Sequence, residues 1–243
     1  MSTERGIRRR SPARGPLGAV AALVVGGAGV WVLTPGGLGQ EDPVRVTGGA
    51  SASGYRELSE AAADGPEWLG VLFELATEGT LVALGLLLLW VGWRGWCGSR
   101  AKDPRLVGAV LTGVGTVVAY AASEALKLVV DQERPCRALA GAHPLAECPP
   151  PGDWSFPSNH ATLAAALAVG LALTLPRLAA VTLPLAVAGA LLRVLVGVHY
   201  PHDVLAGALL GAAVAGAAVL LRPRRRAAAP PSSALPRREG APS

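Results

Sequence analysis

The chain alternates long stretches without charge and short clumps of charge, and this alternation restricts its fold more than any other feature. Gly15 to Gln40 carries no Asp, Glu, Lys or Arg, and neither does His160 to Leu175. The stretches 68–93, 106–130, 178–198 and 203–221 carry one or two each. Segments apolar on every face have no side to offer water, so they belong in lipid. At about 1.5 Å per residue, about 20 residues cross a ~30 Å hydrocarbon core. Six spans are expected: 16–34, 68–93, 106–130, 160–175, 178–198 and 203–221. The fourth is short, and a tight turn at Pro176-Arg177 must join it to the fifth. The expected fold class is all-α, a polytopic membrane helix bundle. Charged residues make up 16% of the chain, against about 25% in soluble domains.

Arginine placement orients the bundle. Arg5, Arg8, Arg9, Arg10 and Arg14 precede the first span, and no small-x-small cleavage site closes that span, so it reads as retained. Arg94, Arg100, Lys102 and Arg105 follow the second span. Arg177 follows the fourth, and Arg222, Arg224, Arg225 and Arg226 follow the sixth. With six spans all of these share one face, which the positive-inside rule makes cytoplasmic. Both termini are then cytoplasmic. The loop 35–67 faces outward with six acids against two arginines. The net charge of +5 is a topology signal and does not point to nucleic acid. Residues 1–14 and 223–243 read as basic, disordered ends around a 15–222 membrane domain. Trp68 at one end of the second span and Trp90, Trp93 and Trp96 at the other suit an interfacial belt. Cys136 and Cys148 share an outward loop, where a disulfide is permitted and two free thiols are the alternative.

Three polar clusters remain, all at the outward ends of spans. Lys127 ends the third span, with Arg134-Pro135 seven residues on. A continuing helix would put both cations on one face, able to hold a dianion. Pro157-Ser158-Asn159-His160 opens the fourth span. Ser158 suits an N-cap, and the helix start offers amides and a positive dipole end to an anion. Arg193, His199 and Asp203 form the third cluster. A cation inside an apolar span needs a polar cavity or a partner, and a carboxylate near a histidine can orient its ring as nucleophile or base. Each cluster alone also fits a bland reading: snorkelling cations, a capped helix, a polar turn.

Together the clusters read Lys-x6-Arg-Pro, Pro-Ser-Asn-His and Arg-x5-His-x3-Asp. This resembles the three-part signature of the type-2 phosphatidic acid phosphatase superfamily. The resemblance covers Lys127 to Asp203, and the six-span plan resembles its membrane branch. Two departures stand out: Asn159 replaces the usual Gly, and Leu192 replaces the usual Ser before Arg193. The resemblance implies that His199 attacks phosphorus and forms a phosphohistidine. Asp203 would orient His199, and His160 would protonate the leaving oxygen and then activate water. Lys127, Arg134, Arg193, Ser158 and the Asn159 backbone would hold the phosphoryl oxygens. Three cations would stand in for a metal, so no cofactor is implied. The implied partners are a phosphorylated lipid and the bilayer, and no protein partner is indicated. Undecaprenyl pyrophosphate is the first choice of substrate, from the outward-facing compartment alone. Phosphatidic acid, phosphatidylglycerophosphate and a decaprenyl-linked phosphate sugar are alternatives. Transfer to an alcohol, or a transport or assembly role without catalysis, are competing functions. Glu74, Glu78, Glu124, His202 and Trp154 are left outside the expected catalytic set.

Overall fold

The computed structural model of the protein describes residues 14–39, 42–63, 65–66, 68–98 and 103–222. Most of the expected basic arm and tail lies outside the described residues. The chain forms α1 (Arg14–Leu33), α2 (Gly49–Ala63), α3 (Trp68–Cys97), α4 (Pro104–Val130), α5 (Pro135–Ala138), α6 (Asn159–Thr174), α7 (Ala179–Leu195) and α8 (Pro201–Leu220). Among the described residues, β structure is limited to one isolated parallel bridge between Val44 and Gln132.

Among the described residues, five segments are long and apolar enough to cross a membrane: α1, α3, α4, α8, and α7 with the 3-10 turn Pro176–Leu178 that leads into it. Their outward faces carry exposed Leu17, Val24, Trp31, Leu75, Leu89 and Trp93, as surfaces solvated by lipid do. The remaining apolar helix, α6, has 16 residues and is about 24 Å long. It is the axis of the bundle, packed by α3, α4, α7 and α8, with Ala161, Ala164, Ala168 and Leu171 buried. A helix wrapped by protein need not match the bilayer thickness.

Small residues bring these helices together, as they must where lipid offers no hydrophobic drive for association. A Cβ on Gly207 or Gly211 of α8 would collide with the Ser158 or Thr162 carbonyl of α6. Gly115 of α4 meets Ala215 of α8, and Gly170 of α6 meets Thr112 of α4. Asp103 caps α4 by accepting the Arg105 amide at 2.7 Å, with Pro104 as the first helical residue. Those choices suit orphan amides and a fixed φ.

Three expectations need correction. The segment 35–67 contains α2, not only loop. Its composition is too polar for a hydropathy signal, yet Ala52 and Tyr55 are buried against Leu139 and Tyr200. Secondly, α4 does not continue to Arg134. It stops at Val130 because Asp131 turns left-handed at φ 46°, its amide bonding the Lys127 carbonyl at 3.1 Å. Thirdly, the helix ends shift: α3 runs to Cys97, α7 stops at Leu195, and α8 starts at Pro201.

Candidate active site

α4 and α7 end, and α6 and α8 begin, at one end of the bundle. The last turn of α4 supplies Lys127, and the turn before α5 supplies Arg134. Ser158, Asn159 and His160 open α6, and Arg193 lies in the last turn of α7. His199 sits in the link to α8, whose first turn holds Asp203. The link needs Gly197, at φ 85°, where a Cβ would meet Pro144. α2 covers it from outside: Tyr55 Oη donates to the Gly197 carbonyl at 3.1 Å. Tyr200 Oη donates to the Val46 carbonyl at 2.7 Å.

His199 is 2% exposed, and its two nitrogens face different chemistry. Arg134 Nη1 lies 3.1 Å from Nε2. A guanidinium only donates, so Nε2 presents its lone pair and the ring proton sits on Nδ1. Nδ1 lies 3.4 Å from Ser155 Oγ and 3.5 Å from Asp203 Oδ2. Ser155 Oγ in turn donates to that same Oδ2. Nδ1 therefore sits beside both the carboxylate and the hydroxyl bonded to it, each contact longer than an ordinary hydrogen bond. Burial pushes the His199 ring down to about 3, and Arg134 works in the same direction. His199 is therefore neutral at neutral pH, the form in which an imidazole can attack.

Asp203 is fully buried and its carboxylate is saturated with donors. Oδ2 also accepts the Tyr200 amide at 2.8 Å, the carboxylate half of a capping box. Oδ1 accepts Gln132 Nε2 at 3.0 Å, and His202 Nε2 stands 3.1 Å away. The relay continues outward, because His202 Nε2 is 3.0 Å from Gln132 Oε1 and its Nδ1 meets Ser51 Oγ on α2.

The cations form a second layer. Arg134 is 5% exposed and donates to the Asp153 backbone carbonyl at 3.0 Å and to Asp153 Oδ1 at 2.9 Å. Lys127 Nζ lies 3.7 Å from the same Oδ1 and 3.4 Å from Glu124 Oε1. The turn between α4 and α5, not a shared helix face, thus joins Lys127 to Arg134. Burial raises the Asp153 carboxyl, but the hydrogen bond and charge of Arg134, with the charge of Lys127, hold it below the usual carboxylate range. Asp153 is an anion already seated on two cations. The charge of Arg193 reaches both His160 and His199.

Ser158 occupies the N-cap position with extended backbone, but its hydroxyl makes no capping bond, contrary to expectation. Its Oγ and Arg193 Nε are buried without a protein partner. Such groups are costly unless an oxygen ligand reaches them. Asn159 does more than leave an amide open. Its Nδ2 donates to Glu124 Oε1 at 2.6 Å, and its Oδ1 accepts Ser123 Oγ at 2.7 Å. Glu124 therefore ties the start of α6 to Lys127. His160 Nε2 lies 2.7 Å from Glu78 Oε1 of α3. Cys136 and Cys148 are joined by a disulfide.

Sequence reasoning missed Ser155, Gln132 and Asp153, which are loop polar residues without a distinguishing pattern. Glu78 and Glu124 did carry a signal, since acids inside apolar spans are costly. That signal does not name a partner.

Known proteins share this plan. Residues 108–227 match the PAP2 superfamily. The decaprenylphosphoryl-5-phosphoribose phosphatase of Mycobacterium tuberculosis is 40% identical over 130 residues, 51% of this chain and 68% of the relative. The undecaprenyl-diphosphatase of Sulfolobus acidocaldarius is 38% identical over 112 residues, 46% of this chain and 53% of the relative. The crystal structure of a transmembrane PAP2 type phosphatidylglycerolphosphate phosphatase from Bacillus subtilis aligns with a TM-score of 0.52 at 21% identity, covering 84% of this chain and 94% of that one. With a family match over residues 108–227 and 40% identity to the mycobacterial phosphatase across 68% of its length, the chain belongs to the PAP2 superfamily.

Proposed function

We propose that the chain hydrolyses the phosphate of a polyprenyl-linked lipid through a phosphohistidine on His199, at the outer face of a six-span membrane domain. The observation that carries this reading is the buried His199, with Nε2 3.1 Å from Arg134 Nη1 and Nδ1 on the side of Ser155 and Asp203. In the first half-reaction Nε2 attacks phosphorus while the bond to the leaving oxygen breaks. Asp203, with Ser155 beside it, stabilises the positive ring that results. His160 gives the leaving oxygen its proton. In the second half His160 takes a proton from water, which attacks the phosphohistidine and frees His199. Lys127, Arg134, Arg193, Ser158 Oγ and the Asn159 amide take the phosphoryl oxygens, where negative charge is concentrated during transfer. No metal has a role in this scheme.

Counting α6 as a crossing makes six spans and puts both termini on the face that holds Arg94, Arg105, Arg177 and Arg222. The positive-inside rule makes that face cytoplasmic, and the site faces outward. A polyprenyl substrate is supported by the names of the mycobacterial and Sulfolobus relatives. The mycobacterial name, with the larger share of its length covered, favours a phosphate monoester on a lipid-linked sugar. The Sulfolobus name favours a second reading, the terminal phosphate of a polyprenyl diphosphate.

The test is phosphate release by purified protein in detergent with EDTA. Substrates are a polyprenylphosphoryl sugar phosphate, undecaprenyl diphosphate and phosphatidic acid, with His199→Ala as control. Fastest release from a polyprenyl lipid, absent in His199→Ala, is expected. Equal or faster release from phosphatidic acid would remove the polyprenyl assignment, and undiminished release by His199→Ala would remove the mechanism.

A further inference from the structure

We infer that Glu78 is the positioning residue of His160, doing for the acid-base histidine what Asp203 does for the nucleophile. This rests on the phosphohistidine reading. Glu78 lies within the membrane-spanning helix α3, where an ionised acid is expensive without a partner. Among the described residues its one ion-pair partner is His160, with Oε1 at 2.7 Å from Nε2. The contact is set by helix packing. α3 buries Thr77, Thr80 and Leu84, and Thr80 sits where Gly189 of α7 leaves room. That rotation leaves Glu78, beside Thr77, at the edge of the buried stripe and against the first turn of α6. Glu74 lies one turn earlier on the same helix.

The contact decides which nitrogen of His160 works. Nε2 is engaged by the carboxylate, so Nδ1 is the nitrogen left for the leaving oxygen. In the first half-reaction His160 carries protons on both nitrogens. Nδ1 gives its proton to the leaving oxygen, and the ring keeps its Nε2 proton, hydrogen-bonded to Glu78. In the second half Nδ1 takes a proton from the attacking water. Glu78 stays ionised throughout, so no proton is lost or gained in the relay. Its contribution is to hold the tautomer and the ring plane, and to favour the charged ring before transfer.

A positioning role for a general acid has a signature that a structural role lacks. An alkoxide is a poor leaving group and must be protonated, whereas p-nitrophenolate leaves without help. Glu78→Gln should therefore lower kcat/KM on dioctanoylphosphatidic acid by about 10²-fold, the low end for general acid catalysis. It should lower kcat/KM on p-nitrophenyl phosphate by less than about threefold, because the uncharged amide leaves phosphate binding intact. His160→Ala should show the same split, and Glu78→Asp should recover part of the alkyl activity. Equal losses on both substrates, or no loss on either, would overturn the inference, as would a wild-type protein that cleaves only the aryl ester. His199→Ala separates the two levels of the argument. It must abolish both activities, and if it does not, the phosphohistidine reading fails rather than the role of Glu78.

Discussion

Replacing Asp203 separates what the buried carboxylate does for the fold from what it does for catalysis. Asp203→Ala leaves the Tyr200 amide, Ser155 Oγ and Gln132 Nε2 without their acceptor. At about 1–3 kcal/mol for each buried unsatisfied donor, the loss is about 3–9 kcal/mol, against a typical total stability of about 5–15 kcal/mol. This variant should fail to yield folded protein. Asp203→Asn keeps the shape. Its carbonyl oxygen can stay on the Tyr200 amide and Ser155, which places its NH₂ towards Gln132. Gln132 answers by turning its own amide to present Oε1. The displaced Nε2 then faces His202, whose ring adopts the other tautomer and accepts. The relay adapts, so the stability loss should be only about 1–2 kcal/mol, the difference between a charge-assisted and a neutral bond. Catalysis cannot adapt, because no negative charge remains to stabilise the His199 ring when phosphorus bonds to it. The expected loss in kcat is about 10³–10⁴-fold, the scale of the same replacement in a Ser-His-Asp triad, or about 4–5.5 kcal/mol. Thermal melting in detergent and phosphate release on the same preparation provide the comparison. Asp203→Asn activity within tenfold of wild type, or a folded and active Asp203→Ala, would refute the reasoning.

Ser155→Ala removes the hydroxyl beside His199 Nδ1 and Asp203; kcat should fall about 10–100-fold with KM nearly unchanged, the cost of one hydrogen bond to a charged group. Acid should destabilise the wild type through His199, whose folded value of about 3 lies below the unfolded value. The unfolded chain takes up that proton first as pH falls through about 6.5, so melting temperature should drop from there downward, and His199→Gln should drop less between pH 7 and pH 5. Gly207→Ala places a Cβ against the Ser158 carbonyl and should cost about 1–3 kcal/mol by overpacking, with a larger fractional loss of activity than of folded protein.

What the sequence made legible was whatever depends on local pattern. Uncharged length identifies a span, and arginine placement suggests a face. Lys127, Arg134, His160, Arg193, His199 and Asp203 stand out as a set through their resemblance to a three-part family signature; each cluster alone also fits a bland reading, and only Arg193 is a cation inside an apolar span. The missing parts depend on chain paths that no local pattern encodes. Arg134 reaches Lys127 through Asp153 only because Asp131 breaks α4, and nothing in the spacing distinguishes a break from a continuing helix. Ser155 looks like any loop serine until Asp203 packs against it 48 residues later. Ser158 suits an N-cap by type, yet its hydroxyl makes no bond to the helix it opens. α2 lacks the apolar density of a span and is held by tertiary burial of Tyr55, which propensity alone cannot anticipate.

The two histidines differ in enclosure, and that difference fits the direction of the proposed reaction. His199 and Asp203 have side chains 2% and 0% exposed, whereas His160 is 25% and Glu78 63% exposed. A nucleophile gains from burial, because a neutral imidazole stripped of water and wired to a fixed carboxylate attacks without reorganising its surroundings. A group that protonates the leaving oxygen needs the opposite, since the departing lipid and the incoming water must both pass it. The rigid half of the site is built by the α4–α5 turn and the α7–α8 link, sealed by α2. The open half lies between α3 and α6, and α3 carries its exposed apolar residues along the same helix. Lipid tails that stay in the bilayer can therefore approach beside α3 while the headgroup enters on the His160 side. In the proposed reaction phosphate then passes inward to His199, and water follows the path by which the alcohol leaves.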